Sequence, residues 1–517
     1  DDVRVVLVRH AGRIYALGEE CSHMGGPLAE GQIVGDSIKC PWHGSHFALA
    51  DGRVEQGPAI HAQPCFEIRI RDGQIELRRA ERGRELPAYA SALPAGAPGA
   101  ARMTLEESIR EALSRNVSVH SAAEGTRAAE SRRKEAFTGF LPRFSTSYSY
   151  THLNEPPHMT IPSLGEVTTG TRENYLWSVE MRQPLFAGGG ILANYQISRL
   201  EAGISRREET ATVQDTIRDV TVAYFTILKT EKIRDVALQS VEQLKSHRNV
   251  ARNFFAVGLI PKNDLLTAEV QLANGAQNLL RAENDVDLAK AQLNTVMRRD
   301  VNEPVDIEDM LSYEPYSKDL SECLKTAMEN RPEITALALR TEAAKTGVTL
   351  ARSEYFPNLN LVGNYSKFGE GPDLAGTPFR DTENWYVMAV ASWNFWEWGR
   401  TRYRVGASLS REIQSADALT GFKDRIALEV KNAYLSMREA EKRISVTRTA
   451  IGQAEENFRI NQERYREHIA TSTDVIDAQT LLARARADYF GAISDYRIAI
   501  ARLDRAMGIS SAPGVRN

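Results

Sequence analysis

Four side chains near the start of the chain have the types and spacing to hold a metal: Cys21-x-His23 and, after a sixteen-residue gap, Cys40-x-x-His43. Thiolate and neutral imidazole are ligands for zinc and for iron–sulfur centres alike. Spacing alone leaves two arrangements open. A tetrahedral zinc site would be structural. A [2Fe–2S] cluster with both cysteines on one iron and both histidines on the other would carry single electrons, at a potential above that of an all-cysteine cluster. The elements that must position these ligands are short. Apolar, β-branched runs over 3–9, 13–16, 37–40, 65–70 and 74–77, separated by Gly-Gly-Pro, Asp-Gly and Gly-Pro turns, predict a small antiparallel β unit over residues 1–80.

The flanks separate the two metals. Cys-Ser-His-Met-Gly-Gly-Pro-Leu (21–28) and Cys-Pro-Trp-His-Gly-Ser-His-Phe (40–47), followed by Asp51-Gly52 and Gly57-Pro58-Ala59, closely resemble the two cluster loops of Rieske ferredoxins. The resemblance implies that Cys21, His23, Cys40 and His43 hold a [2Fe–2S] cluster and that residues 1–80 transfer one electron at a time. Gly26 and Trp42 stand near where the respiratory-complex type carries extra cysteines, so the likeness is to the ferredoxin or oxygenase type. His46 is expected at the surface and Cys65 as a packed or idle thiol. A ring-hydroxylating oxygenase would also need two histidines and a carboxylate on a mononuclear iron. The scattered histidines elsewhere supply no such set, and no enzyme is expected.

Residues 81–103 are rich in Ala, Pro and Gly and read as an extended linker. Thr104-x-x-Glu107 is a capping box that opens the next domain. The strongest periodicity follows. Over about 263–298, Leu265, Leu272, Leu279, Val286 and Leu293 fall seven apart, interleaved with Ala268, Gly275, Ala282, Ala289 and Val296. This is a heptad seam whose second position is nearly always small, so helix backbones approach closely. It returns 210 residues later as Val475, Leu482, Tyr489, Tyr496 and Leu503 with Ala478, Ala485, Ala492, Ala499 and Ala506. Taken alone, the seam fits an ordinary coiled coil equally well.

The rest of each copy repeats in register. A helix over 104–140 ends at Leu141-Pro142, and one over 320–355 ends at Phe356-Pro357, with Asn330 matching Asn116. Two strand-like segments follow in each copy. Phe144, Thr146, Tyr148 and Tyr150 alternate with serines, and Tyr175, Trp177, Val179 and Met181 with Ser178, Glu180 and Arg182. In the second copy Leu359, Leu361 and Tyr365 alternate with asparagines, and 385–395 is apolar on both faces. Aromatic on one side and small-polar on the other suits a barrel with lipid outside and water inside, although a soluble half-buried sheet would look similar. Each strand pair then feeds a helix of about 65 residues, on the order of 100 Å long, which reverses at 257–264 or 468–474.

Helix, two strands and a very long helical hairpin, duplicated: this plan over 103–510 resembles the TolC-type outer-membrane efflux proteins. The resemblance implies a multidomain α+β chain: Rieske unit 1–80, linker 81–103, repeats 104–300 and 320–510 joined by an equatorial segment 301–319, and a tail 511–517. It also implies a homotrimer with one twelve-stranded β-barrel in the bacterial outer membrane. A periplasmic α-barrel would continue it, served by a periplasmic adaptor and an inner-membrane pump. Adaptors would dock at the tips around Gly258, Leu259, Asp264 and His468. Asp474 and Asp477 would ring the constricted end, although Asp474 and Asp264 also suit helix caps. Cys323 is expected to pack.

Composition agrees with a folded, non-nucleic-acid protein: 64 basic against 68 acidic residues in 517, a net charge of −4. No apolar run is long enough for a membrane-spanning helix, which leaves a barrel open, and a targeting segment is expected to be absent from this chain. Three relations between the halves stand: a channel with a redox appendage, a redox protein anchored on a trimeric scaffold, or a fusion without shared purpose.

Overall fold

The computed structural model describes residues 4–22, 25–42, 44–56, 59, 62–71, 74–79, 102–162 and 165–510. It forms two units, Asp1–Ala101 and Arg102–Asn517. Nearly all of the expected linker and the tail from 511 lie outside the described residues.

Among its described residues the first unit is built of β-strands with one short 3-10 turn, Leu28–Glu30. Strands β1 (Val5–His10), β2 (Arg13–Gly18), β7 (Cys65–Arg71) and β8 (Gln74–Arg79) make one antiparallel sheet in the order β1-β2-β7-β8. Strands β3 (Gln32–Val34), β4 (Ser37–Lys39), β5 (His46–Ala48) and β6 (Val54–Gln56) make a second, in sequence order. Strands β3, β5 and β6 have three residues each, too few for alternation to reveal them in the sequence. Val8, Leu17, Leu28, Ile38, Phe47 and Leu49 form the core, and Cys21 and Cys40 belong to it.

The second unit runs α1 (Leu105–Arg115), α2 (Val117–Thr138), β9 (Arg143–His152), β10 (His158–Ile161), β11 (Gly165–Thr168), β12 (Glu173–Ala187), α3 (Gly190–Ala256) and α4 (Lys262–Met297). It then repeats as α5 (Leu320–Asn330), α6 (Pro332–Ser353), β13 (Asn358–Gly369), β14 (Glu383–Ser392), α7 (Arg400–Arg466) and α8 (Ser472–Ala506). The β10–β11 hairpin is an insertion in the first copy's strand connection.

Three boundaries differ from those expected. The helices expected over 104–140 and 320–355 are each broken in two. At the first break Asn116 caps α2, its Oδ1 accepting from the Ser118 N–H at 2.8 Å, while its Nδ2 donates to the Val296 carbonyl at 3.1 Å. At the second, Arg331 precedes Pro332, whose ring disfavours helical backbone in the residue before it and suits the first helical position. The structural counterpart of Asn116 is therefore Arg331, not Asn330. The fourth strand ends at Ser392 rather than at 395. Ser392 pairs with Asn358, the first residue of β13, so nothing remains for Trp393 to Phe395 to pair with.

The long helices α3 and α7 have 67 residues each, which is about 100 Å of helix. Along α4 the small seam residues Ala268, Gly275, Ala282 and Ala289 are buried, and a Cβ on Gly275 would come within 2.7 Å of Leu244 Cδ1 on α3. In α8, Ala478, Ala492, Ala499 and Ala506 are buried with Val475, Leu482, Tyr496 and Leu503. The duplication extends to the cores. Val220, Ile227, Leu293 and Met297 sit in one cluster, and Val430, Met437, Leu503 and Met507, each 210 places on, sit in the other. The connecting segment is pinned to both: Tyr224 donates to the Glu308 carbonyl and Tyr496 to the Glu314 carbonyl, each at 2.7 Å.

Candidate functional site

The two cysteine loops of the first unit are built alike. The Cys21 N–H donates to the Gly26 carbonyl at 2.8 Å, and the Gly25 N–H donates back to the Cys21 carbonyl at 2.8 Å. The Cys40 N–H donates to the Ser45 carbonyl at 2.8 Å, and the Gly44 N–H donates to the Cys40 carbonyl at 3.1 Å. The turning glycines Gly25 and Gly44 both have φ +74°, a conformation that a side chain disfavours. Ser45 is fully buried, and its Oγ accepts from the Ala59 N–H at 3.0 Å, which ties Ala59 to the second loop. Cys21 is 4% exposed and Cys40 2%.

Both thiols therefore face an apolar core, and a Cβ on Gly26 would stand 3.0 Å from Cys40 Sγ. Buried soft sulfur on two matching loops is a donor set that fits an iron–sulfur cluster or zinc. His23 and His43 lie outside the described residues, among which no group of three or more metal-ligating side chains occurs. His46 is half-buried on β5, inward of its expected place, and Cys65 is half-buried on β7.

In the second unit the strands join in the order β14-β13-β12-β9, all antiparallel. The register sorts side chains by face. Phe144, Tyr148, Tyr150, Tyr175, Trp177, Val179, Met181, Leu361, Tyr365, Trp385 and Val387 share one side; Ser145, Ser147, Ser149, Ser178, Glu180, Asn364 and Asn384 share the other. At the helix end of the sheet, Trp393, Phe395, Trp396 and Trp398 are all exposed, Trp398 at 84%. Strands β9 and β14 are the two edges, uncovered among the described residues.

A family model for the outer membrane efflux protein matches residues 108–297 and 323–509, most of the chain. The chain belongs to the outer membrane efflux protein family. Residues 1–67 match the Rieske [2Fe-2S] domain model. The mouse (Mus musculus) apoptosis-inducing factor 3 is 31% identical over 83 residues, 16% of this chain and 14% of that protein. Outer membrane protein OprJ of Pseudomonas aeruginosa is 26% identical over 184 residues, 35% of this chain and 38% of its own length. The chain thus spans under two fifths of either relative. The solved structure of the outer-membrane channel OprN covers 79% of this chain and 91% of its own at TM-score 0.68 and 18% identity, a likeness of fold.

In this efflux-family chain the helical tips are five residues each, 257–261 and 467–471. The Leu259 N–H donates to the Phe254 carbonyl at 2.9 Å and the Ile469 N–H to the Arg464 carbonyl at 2.8 Å, with Gly258 at φ +76° and His468 at φ +61°. Both tips are left-handed helix ends of one kind. Leu259 is exposed beside Gly258.

The reading of Asp264 as a cap is corrected. Pro261 occupies the cap position and has no side-chain acceptor, and Asp264 lies in the first turn of α4 without a capping bond. Asp474 does cap. Its carboxylate accepts from the Thr471 N–H and hydroxyl, both at 2.8 Å, and these bonds hold it below the usual carboxylate range. Asp477 instead lines an open groove between the first turns of α4 and α8, with Asn263, Thr267 and Thr473. Cys323 is fully buried in the second core, as expected.

One group at the tips carried no sequence signal, being a single histidine in a 67-residue helix. His247 of α3 is 8% exposed, its Nε2 is 2.8 Å from Ser472 Oγ at the start of α8, and its ring lies 4.9 Å from that of Tyr465 on α7. Burial pushes its pKa down to about 4. The unfolded chain would bind that proton near pH 6.5, so lowering the pH through the interval between the two values favours opening of the junction. The full effect is about 3 kcal/mol, complete once the pH is below the folded value. Hydrogen exchange at the tip amides should therefore accelerate on acidification through this window, and the acceleration should disappear in His247→Phe. Equal pH dependence in both proteins would contradict it.

Proposed function

We propose that three copies of this chain close a twelve-stranded barrel in a bacterial outer membrane, and that their helices continue it into the periplasm as one water-filled conduit for efflux or secretion. The observation that carries this reading is the four-stranded sheet with one aromatic face, one polar face and two uncovered edges. Four strands are too few to close alone. Open edges call for a partner strand, and a second copy offers β9 to β14. The exposed tryptophans at the helix end suit a membrane interface. Along α4, Leu266, Val270, Leu280 and Leu288 are exposed in one chain and suit burial against a neighbouring copy.

On this reading an adaptor linked to an inner-membrane pump meets the tips at Gly258, Leu259, Asp264 and His468. Asp477 supplies the acidic ring of the constriction, beside an Asp474 already shared with Thr471. The Rieske unit holds a [2Fe–2S] cluster on Cys21, His23, Cys40 and His43 and supplies one-electron transfer on the periplasmic side; no reaction of its own is assigned to the chain. The matched burial of the two thiol loops favours a second reading beside the first, in which the trimer serves as an anchor for the redox unit.

Reconstitution of protein purified from outer-membrane extracts into planar bilayers tests the first reading. Stable conductance steps from detergent-resistant trimers are expected. Monomeric protein that opens no conductance would sink it.

A further inference from the structure

The register of the sheet sets two arginines face to face. Arg143, the first residue of β9, pairs directly with Arg182 of β12, on the polar side that carries Ser145, Ser147 and Ser178. Like charges directly opposite on neighbouring strands weaken a sheet, so pairing alone gains nothing from this choice. One carboxylate partly compensates. Glu180 Oε1 accepts from Arg182 Nη2 at 2.9 Å. Among the described residues Arg143 has no ion-pair partner, which leaves one guanidinium in excess. The same row continues through Val362 and Met388, which bring no charge. Strand β14 offers only Asn384, Tyr386, Met388, Val390 and Ser392 on this face, so an adjoining copy would not neutralise the excess either.

We infer that Arg143 and Arg182 form a positively charged ring at the helix end of the barrel lumen, selecting for anionic solutes that bear a carboxylate, sulfonate or phosphate group. This rests on the conduit reading above and adds a substrate class to it. Rings of arginine favour anions in pores, and the planar guanidinium fork matches the two oxygens of such groups. A guanidinium stays charged at every working pH. The anion preference therefore persists on acidification, whereas the opposing contribution of carboxylates fades as they protonate.

The experiment is the reversal potential of single trimers in a potassium chloride gradient, for the full chain and for Arg143→Gln, Arg182→Gln and Arg143→Lys. Both Gln variants should shift the reversal potential toward potassium, and the Lys variant should stay near the parent. Acidification should move the parent further toward chloride. Trimers of Arg143→Gln should resist heat at least as well as the parent, since a like-charge contact is removed. Unchanged reversal potentials in conducting Gln variants would overturn the ring while leaving the conduit standing. Earlier melting of both Gln variants would assign the pair a structural role and overturn it equally. A parent that never conducts removes the conduit, and the ring with it.

Discussion

Cys40→Ser is expected to abolish the iron and acid-labile sulfide of the protein, and with them the Rieske-type electron paramagnetic resonance signal of the dithionite-reduced form. Bilayer conductance should be unaffected. The serine hydroxyl is a hard, protonated oxygen in place of a thiolate, at a position 2% exposed to water, where ionising it would be costlier still. The loop itself should survive. Its closing bonds, Cys40 N–H to the Ser45 carbonyl and Gly44 N–H to the Cys40 carbonyl, are both main-chain and do not involve the sulfur. Cys65→Ser serves as the control, because Cys65 lies on β7, outside both loops, and full iron is expected there. Gly26→Ala tests the packing of the same site, since its Cβ would press on Cys40 Sγ from 3.0 Å. One zinc per chain with no iron in the parent protein would return the site to the structural alternative.

The second large effect lies where four helices converge. Arg505 of α8 is buried, and its Nε donates to Asp215 Oδ1 of α3 at 2.8 Å while its Nη2 donates to Glu333 Oε1 of α6 at 2.6 Å. Arg331, also buried, donates to both oxygens of Glu429 on α7 at 3.1 Å and to the Arg505 carbonyl at 3.1 Å. Arg505→Met should lower stability by about 2 kcal/mol, the scale of hydrogen bonds to charged groups, because Asp215 keeps Arg218 and Glu333 keeps Arg331 as partners. The readout is an earlier urea midpoint for loss of helical signal. Arg459→Ala is the contrast. Arg459 bonds Glu456 and Glu463 along the exposed face of α7, where water and salt screen the pair, and no measurable change is expected. An Arg505→Met protein with an unchanged midpoint would show that the network adds nothing net.

Residues 21–28 and 40–47 made the two cysteine loops legible because loop chemistry is local: the turning glycines and the cysteines are written side by side. The long helices were legible for a different reason. A seven-residue repeat with Ala or Gly at nearly every second seam position marks closely packed helices, and its return 210 residues later fixed the duplication and, with the strand pairs and tips in register, the family. Alternation on β9 and β12 likewise marked which side chains share a face.

Where neighbours compete, the sequence stopped short. Asn116 and Arg331 break helices that periodicity alone would continue, because a cap bond in one copy and Pro332 in the other outweigh local propensity. Strand β14 stops at Ser392 because its partner begins at Asn358, a limit set across the sheet and invisible along the chain. Asp264 and Asp474 look alike as caps, yet only the second has a hydroxyl three residues earlier to exchange bonds with. The burial of His247, the facing of Arg143 with Arg182 and the convergence of Arg331 and Arg505 join residues from tens to hundreds of positions apart. Local composition determines which elements and which ligand chemistry the chain carries. Only tertiary structure decides which charges meet, because that depends on register and burial between segments that the sequence places far apart.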